Sequence, residues 1–266
     1  MITIGNKNYK VCLFDTNAIS IILKDSQKFN KLFNKYTFPD YIYAFSPYVL
    51  YEIGKNSELL SKFTDFLNIF PSLILKNEVE LFDLSISNDS GNSSIWSVIP
   101  FAITGVPKWK NKVRELFKRI DFSKKSNDIS LKVEKNYLVM KEFSDWAKGI
   151  YNSKDEKLNY RIIEAFRADI VGSFLLDLRK NIEIEKYLEN EIVKIISYGW
   201  YYKFVSDINR IFEKNDVVDI YNITAINYAE VFIGEKNLNN VIMKMIKKNI
   251  INKIVIEKAI DIGKDA

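Results

Sequence analysis

The amino-acid sequence predicts an α/β protein with a central parallel sheet flanked by helices, together with a large all-helical insertion. Short apolar runs alternate with helical patterns near both ends of the chain, which is typical of a doubly wound parallel sheet. Only long helical patterns occupy the middle hundred residues. We therefore expect a discontinuous α/β core over residues 1–105 and 212–266, with a helical insertion or cap over 106–211.

The elements of the first half follow from apolar runs and helix-start signals. Val11-Cys12-Leu13-Phe14 is too short an apolar run for a helix and predicts a buried strand. Ser46-Pro47 is typical of a helix start, with serine as the N-cap and proline at the first helical position. The predicted order is strand 10–15, helix 17–35, strand 41–45, a helix from 46, helix 57–70 and strand 72–75.

The second half begins with a loop rich in serine, asparagine and glycine over 85–95. Helical patterns then fill 109–121, 130–150 and 157–213, and the last is broken near Asn181. Beyond residue 215 the alternation of strands and helices returns. There the predicted order is helix 216–227, strand 229–233, helix 236–248 and strand 253–256.

Composition excludes several classes of chemistry. The chain has no histidine, so imidazole acid–base catalysis and histidine-ligated zinc are ruled out. It has one cysteine, no apolar run long enough for a transmembrane helix, and a polar N-terminal stretch, so we expect a cytoplasmic protein that does not enter a membrane. A formal net charge of +5 permits an anionic partner such as nucleic acid without requiring one.

Several carboxylates fall where a parallel sheet gathers its ligands, beyond the carboxyl ends of the strands. Asp15 ends the first predicted strand, and Glu52 lies in the helix after the second. Asp216 and Asp219 open a later helix, and Glu235 directly follows the strand before the last. Crowded carboxylates repel one another, and a hard divalent cation such as Mg²⁺ or Mn²⁺ is the usual remedy. Such an ion can polarise a phosphodiester and supply hydroxide near neutral pH.

Each of these acids also has a structural explanation. Asp15 can serve as a helix N-cap, and Glu52 can be a solvated helix residue. Asp216 and Asp219 have the spacing of an acidic capping pair, and Glu235 can be an ordinary helix start. The functional interpretation depends on all of these acids occurring together, and on their order along the chain.

Three segments in order resemble the PIN-domain nucleases: LFDTN at 13–17, SPYVLYEIGK at 46–55 and NDVVDIYNITAINYAEVFIGEKNL at 215–238. The resemblance covers residues 8–80 and 212–257 and does not extend to the helical middle. It implies a Rossmann-like PIN fold with an acidic pocket that binds Mg²⁺ or Mn²⁺. It also implies cleavage of single-stranded RNA, and many members of the family are bacterial toxins.

The family's four acidic positions match carboxylates of this chain, which the resemblance implies as catalytic and metal-binding residues: Asp15, Glu52, Asp219 and Glu235. Asp216 is the alternative at the third position. Thr16 and Asn17 match the polar residues after the first acid, and we expect them to position the substrate. The chain departs from the family at the fourth acid, which is Glu where Asp is usual, with Gly234 near the position of the usual hydroxyl residue.

The sequence thus predicts a Mg²⁺- or Mn²⁺-dependent endoribonuclease of toxin or defence type, which cuts single-stranded or structured RNA to leave 5′-phosphate and 3′-hydroxyl ends. Two alternatives stay open: a catalytically inactive PIN-like RNA-binding or assembly module, and a structure-selective DNA nuclease. Arg161 and Arg167 are candidates for contacts to RNA phosphates, although basic residues on a long helix equally form a solvated face. An antitoxin or other protein partner and a homo-oligomer also stay open.

Overall fold

The computed structural model describes residues 1–4, 7–36, 40–70, 72–87, 95–98, 122–181 and 183–262. It is an α/β structure whose mainly parallel sheet is flanked by helices. Its strands are β1 Ile2–Ile4, β2 Lys7–Phe14, β3 Tyr41–Phe45, β4 Ser72–Leu75, β5 Trp96–Val98, β6 Val231–Gly234 and β7 Val255–Lys258. Its α-helices are α1 Thr16–Lys24, α2 Ser26–Lys35, α3 Pro47–Gly54, α4 Ser57–Ile69, α5 Glu78–Ile86, α6 Phe122–Ile150, α7 Glu156–Asp177, α8 Glu191–Trp200, α9 Lys214–Asn222 and α10 Lys236–Lys247.

The sheet has the order β5-β4-β3-β2-β6-β7. β2 is parallel to β3 and β6, and the outer pairs β3–β4 and β6–β7 are also parallel. The antiparallel elements are β5, which pairs with β4, and β1, which forms a hairpin with the start of β2. The chain moves outward from β2 through β3 to β4 and later returns to place β6 on the other side of β2. The carboxyl ends of β2 and β6 therefore flank a topological switch point, where open α/β sheets place their ligands.

Alternation along the strands builds one core on each face of the sheet. Val11 and Leu13 of β2 face one apolar cluster, whereas Cys12 and Phe14 face the other. Helices α1 to α4 pack mainly on the second face, and α5 to α10 pack on the first. Both faces of each central strand are covered, which explains why residues 11–14 of β2 form a continuous apolar run.

The strands and most of the helix starts predicted for the first half are confirmed. Ser46 caps α3 by accepting the backbone N–H of Val49, with Pro47 at the first helical position. The continuous helix predicted over 17–35 is wrong, because the structure breaks it at Asp25. Asp25 ends α1 and caps α2, since its carboxylate accepts the backbone N–H groups of Gln27 and Lys28. The short strands β1 and β5 and the helix α5 were not predicted.

From Phe122 onward the described middle of the chain is helical, as expected, with a different segmentation. The break predicted near Asn181 in the helical pattern 157–213 is confirmed, because α7 ends at Asp177 and a 3₁₀ turn, Ile184–Tyr187, follows. The remainder of that pattern divides into α8 and a π-helical turn, Tyr201–Val205. Val133, Phe166 and Trp200 belong to the same apolar cluster as the first face of the sheet. The helix predicted over 109–121 and most of the loop predicted over 85–95 lie outside the described residues. The division into two domains stays a prediction.

The helices differ from membrane-spanning helices in composition. Within the described part of the chain, no helix combines the length and the apolar character needed to cross a bilayer.

Candidate functional site

Adjacent strands place two of the predicted acids side by side. Asp15 follows the last residue of β2, and Glu235 follows the last residue of β6. The strands are in register over Phe14 and Ile233, and the backbone N–H of Asp15 donates to the carbonyl of Ile233 at 3.0 Å. Both acids then stand at the N-cap positions of the helices that follow, α1 and α10. The parallel topology thus brings together residues that are 220 positions apart in sequence.

Asp15 is the most deeply buried acid of this group, with only 1% of its surface exposed. Its Oδ1 accepts the backbone N–H of Thr16 at 2.8 Å, whereas Oδ2 is buried without a hydrogen-bond partner. Burial is the largest cause that raises the pKa of Asp15 to about 8, followed by the negative charges of Asp219, Glu235 and Glu52. A buried carboxylate oxygen without a hydrogen-bond partner destabilises the folded chain. Asp15 Oδ2 therefore requires a ligand or a proton.

Glu52 and Asp219 reach the same place from two different helices. Glu52 lies in α3, which begins directly after β3, and its pKa is raised mainly by burial and further by Asp219. The nearby Thr16 hydroxyl lowers the pKa of Glu52, although Thr16 Oγ1 itself has no hydrogen-bond partner of good geometry. Asp219 lies in α9, and its pKa is raised mainly by burial, with Glu235 adding to the rise.

The charges of three neighbouring acids act on Asp15. Asp15 is destabilised as an anion by Asp219, Glu235 and Glu52 together. Such effects require short separations in an interior that water does not screen. Asp15 and Glu235 stand side by side at the ends of adjacent strands, and Asp219 and Glu52 lie near enough to raise the pKa of Asp15. We call Asp15, Glu52, Asp219 and Glu235 the acidic pocket.

A buried lysine that sequence reasoning missed belongs to this pocket. Lys203 is only 2% exposed and lies in the π-helical turn between α8 and α9. Its Nζ forms an ion pair with Asp216 Oδ1 at 2.9 Å and donates a hydrogen bond to Asp219 Oδ2. Its charge also lowers the pKa of Glu52. The only signal in the sequence was a single lysine within the bulky run WYYKFV, where a charged residue needs a partner.

Asp216 has a structural position at the edge of the pocket. Its Oδ2 accepts the backbone N–H of Glu213 at 2.8 Å, which closes a capping box at the start of α9. Its Oδ1 contacts both Lys203 and Arg210 at 2.9 Å. Both of its oxygens are therefore engaged within the protein, whereas Asp219 has one oxygen, Oδ2, held by Lys203.

The two polar residues after Asp15 also touch the pocket. Asn17 donates from Nδ2 to Glu235 Oε2 at 3.0 Å and so orients that carboxylate. Gly234 occupies the position near which the resemblance implies a hydroxyl residue. A Cβ there would lie 2.4 Å from the ring of Phe232 and 2.8 Å from Asn239 Oδ1. Close packing therefore requires glycine before Glu235.

The two arginines predicted to contact RNA phosphates lie in different surroundings. Arg167 is 2% exposed, donates to Ser197 Oγ at 3.3 Å and forms an ion pair with Glu189. The predicted phosphate contact of Arg167 conflicts with this placement, because the guanidinium is held in the interior of the helical layer. Arg161 is exposed and lines a groove of about 700 Å³ beside several tyrosines, none of it formed by the acidic pocket.

A second groove, of about 450 Å³, borders the acidic pocket directly. Asn17 and Glu235 belong to its lining, together with the lysines Lys24 and Lys236. Both lysines are exposed, and neither forms an ion pair within the described part of the chain. The rim of the pocket therefore offers cationic groups to an anionic strand, which is what a phosphodiester substrate requires.

The chemistry of the donors fits a hard divalent cation. Carboxylate oxygens and water are the preferred ligands of Mg²⁺ and Mn²⁺, and the buried Asp15 Oδ2 lacks a partner. Among the residues that the structure describes, no three Asp, Glu, Cys or His side chains are already arranged as a metal-binding group. Mg²⁺ is commonly held by one or two carboxylates with water and substrate phosphate completing its shell, so a closed cage is not required.

No protein-family model matches this chain, and neither a curated protein nor a solved structure shows significant similarity to it.

Proposed function

We propose that this chain is a PIN-like endoribonuclease that depends on Mg²⁺ or Mn²⁺ and cleaves single-stranded or structured RNA. The observation that carries the proposal is the acidic pocket at the switch point of the sheet, with the buried and unpartnered Asp15 Oδ2 at its centre. Burial and neighbouring carboxylates raise the pKa values of Asp15, Glu52 and Asp219, an arrangement that folding alone disfavours. Such an arrangement is typical of a site for a cation and its anionic substrate.

The roles of the pocket residues follow from their contacts. Asp15, Glu52 and Asp219 would hold the cation, and Glu235, oriented by Asn17, would complete the pocket. When bound, a divalent cation supplies charge neutralisation at the phosphodiester and a lowered pKa for water. Water is added across the P–O3′ bond, leaving a 5′-phosphate and a 3′-hydroxyl. Because the chain has no histidine, a carboxylate or solvent must accept the proton from the attacking water.

The groove with Lys24 and Lys236 supports an extended anionic substrate. Its position beside Glu235 allows a strand to lie along the pocket while the two lysines contact phosphates that flank the scissile one. The assignment of RNA, as opposed to single-stranded DNA, comes from the family resemblance alone.

One observation favours a second candidate, a PIN-like RNA-binding or assembly module without catalysis. The described residues include no preformed three-ligand metal group, and Lys203 already neutralises part of the pocket. A module of this kind predicts RNA binding without metal-dependent cleavage.

The deciding experiment incubates purified protein with end-labelled single-stranded RNA, tRNA and branched DNA, with Mn²⁺ or with EDTA. Asp15→Asn tests the pocket, and Asp25→Asn is the matched control, because Asp25 also caps a helix through a backbone N–H but lies outside the acidic pocket. We expect cleavage of RNA that requires Mn²⁺, is lost in Asp15→Asn and persists in Asp25→Asn. Cleavage that survives EDTA or Asp15→Asn contradicts the proposal, and binding without cleavage favours the second candidate.

A further inference from the structure

The acidic pocket contains its own cation, and the position of that cation bears on how many metal ions the pocket can take. Lys203 Nζ lies between two acids of α9, with Asp216 Oδ1 at 2.9 Å and a hydrogen bond to Asp219 Oδ2. Only 1% of the lysine side chain is exposed. An ammonium group so far from water is stable only when carboxylates surround it.

The π-helical turn places this lysine where a regular helix would not. The backbone N–H of Ser206 donates to the carbonyl of Tyr201 at 2.9 Å, a bond that spans five residues and widens the turn. Phe204 and Val205 remain fully buried in the apolar core while Lys203 reaches α9. Widened turns of this kind are rare and occur frequently at functional sites.

The contacts of Lys203 use oxygens that a second metal ion would need. Asp216 has both oxygens engaged, one by the capping box of α9 and the other by Lys203 and Arg210. Asp219 has Oδ2 engaged by Lys203, which leaves Oδ1. Asp15 Oδ2 is buried and has no partner. Three of the four carboxylate oxygens of Asp216 and Asp219 are therefore engaged within the protein, whereas Asp219 Oδ1 and Asp15 Oδ2 are left for a divalent cation.

We propose that Lys203 takes the place of a second metal ion, so that the acidic pocket binds a single divalent cation per chain. Lys203 is then a positioning residue, which holds Asp219 by one oxygen and leaves the other for the cation shared with Asp15. This inference rests on the proposed metal-dependent function and specifies its stoichiometry. It also explains why the pocket tolerates a buried lysine next to the acids that are expected to bind a cation.

The test counts Mn²⁺ ions bound to the full chain by isothermal titration calorimetry and, independently, by the electron paramagnetic resonance signal of free Mn²⁺. Wild type is compared with Lys203→Gln, which removes the internal cation, and with Lys203→Arg, which retains it. Arg210→Gln is the matched control, because Arg210 contacts the same Asp216 oxygen but forms no ion pair with Asp219 among the described residues.

We expect one Mn²⁺ per chain in wild type, Lys203→Arg and Arg210→Gln, and two in Lys203→Gln. If Lys203→Gln fails to fold alone, we expect Mn²⁺ to restore its folding, because the ion replaces the missing positive charge. Failure of Mn²⁺ to restore it, or an unchanged count of one in a folded Lys203→Gln, overturns the inference. If wild type binds two ions and shows Mn²⁺-dependent cleavage, only the proposed role of Lys203 is wrong. If wild type binds no ion, the proposed metal site is wrong as well.

Discussion

Replacing Asp15 with asparagine tests both the burial of the acid and its function. Asparagine has nearly the same shape and is an equally good N-cap, so its Oδ1 can still accept the N–H of Thr16. The substitution removes only the ability to carry a negative charge in a site of 1% exposure. We therefore expect a folded variant whose stability differs from that of wild type in a way that depends on pH.

The sign follows from proton linkage. The pKa of Asp15 rises from 3.8 to about 8 on folding, so the folded chain binds one more proton than the unfolded chain between those values. The free energy of unfolding of wild type therefore falls as the pH rises through this window, by at most about 1.4 kcal/mol per pH unit. Between pH 5 and pH 7 this gives a loss of roughly 3 kcal/mol that Asp15→Asn does not share.

The assay is urea denaturation of wild type and Asp15→Asn at pH 5 and pH 7 in EDTA, with Asp25→Asn as the control. Asp15→Asn should become the more stable protein at pH 7, whereas Asp25→Asn should follow wild type. Adding Mn²⁺ at pH 7 should raise the stability of wild type and leave that of Asp15→Asn unchanged. If wild type and Asp15→Asn lose the same free energy between pH 5 and pH 7, Asp15 is not a buried, protonated acid and the reasoning fails.

Two further substitutions test other parts of the structure. Gly234→Ala should lower the free energy of unfolding by about 1–3 kcal/mol, because the added methyl group meets a phenyl ring at 2.4 Å. Urea denaturation measures this change, and an unchanged stability would show that the strand end is more loosely packed. Arg167→Ala should cost about 2–4 kcal/mol through lost packing and leave RNA affinity per folded molecule unchanged, whereas exposed Arg161→Ala should change stability by less than about 0.5 kcal/mol. A drop in RNA affinity with unaltered stability in Arg167→Ala would contradict the interior placement of that guanidinium.

Local signals explain the part of the fold that could be predicted. A short apolar run bounded by polar residues defines β2, and a serine followed by proline defines the start of α3, because these features act on neighbouring residues. Asp25 shows the limit of such signals. It interrupts a helical pattern without proline or glycine, since its carboxylate satisfies the free N–H groups of α2.

The middle of the chain was harder to predict, because long apolar stripes do not mark where a helix turns back. The sequence pattern continues past Asp177, yet the chain forms a 3₁₀ turn, a new helix and a π-helical turn there. Arg167 was likewise expected at the solvated face of a long helix, but neighbouring helices bury it. Packing between helices decides both outcomes, and that packing is absent from any local window of sequence.

The sequence by itself determined which residues can form the candidate site. It contains no histidine, it places Asp15 and Glu235 directly after buried strands, and it places Glu52 and Asp219 on the helices nearby. Parallel strands must align their carboxyl ends, so acids at those ends are expected to converge. The placement of Asp15 beside Glu235 at the ends of β2 and β6 follows from that rule.

Only the tertiary structure decided the charge balance within the site. Lys203 is 16 residues from Asp219 and lies in an aromatic stretch with no catalytic motif, yet it reaches the pocket through a widened helical turn. Asp216 and Arg167 are not available to a metal ion or a phosphate, because their polar atoms already bond to other groups of the protein. Which charges face one another depends on distances across the fold, and the energy of a buried charge is set by those distances and by the exclusion of water.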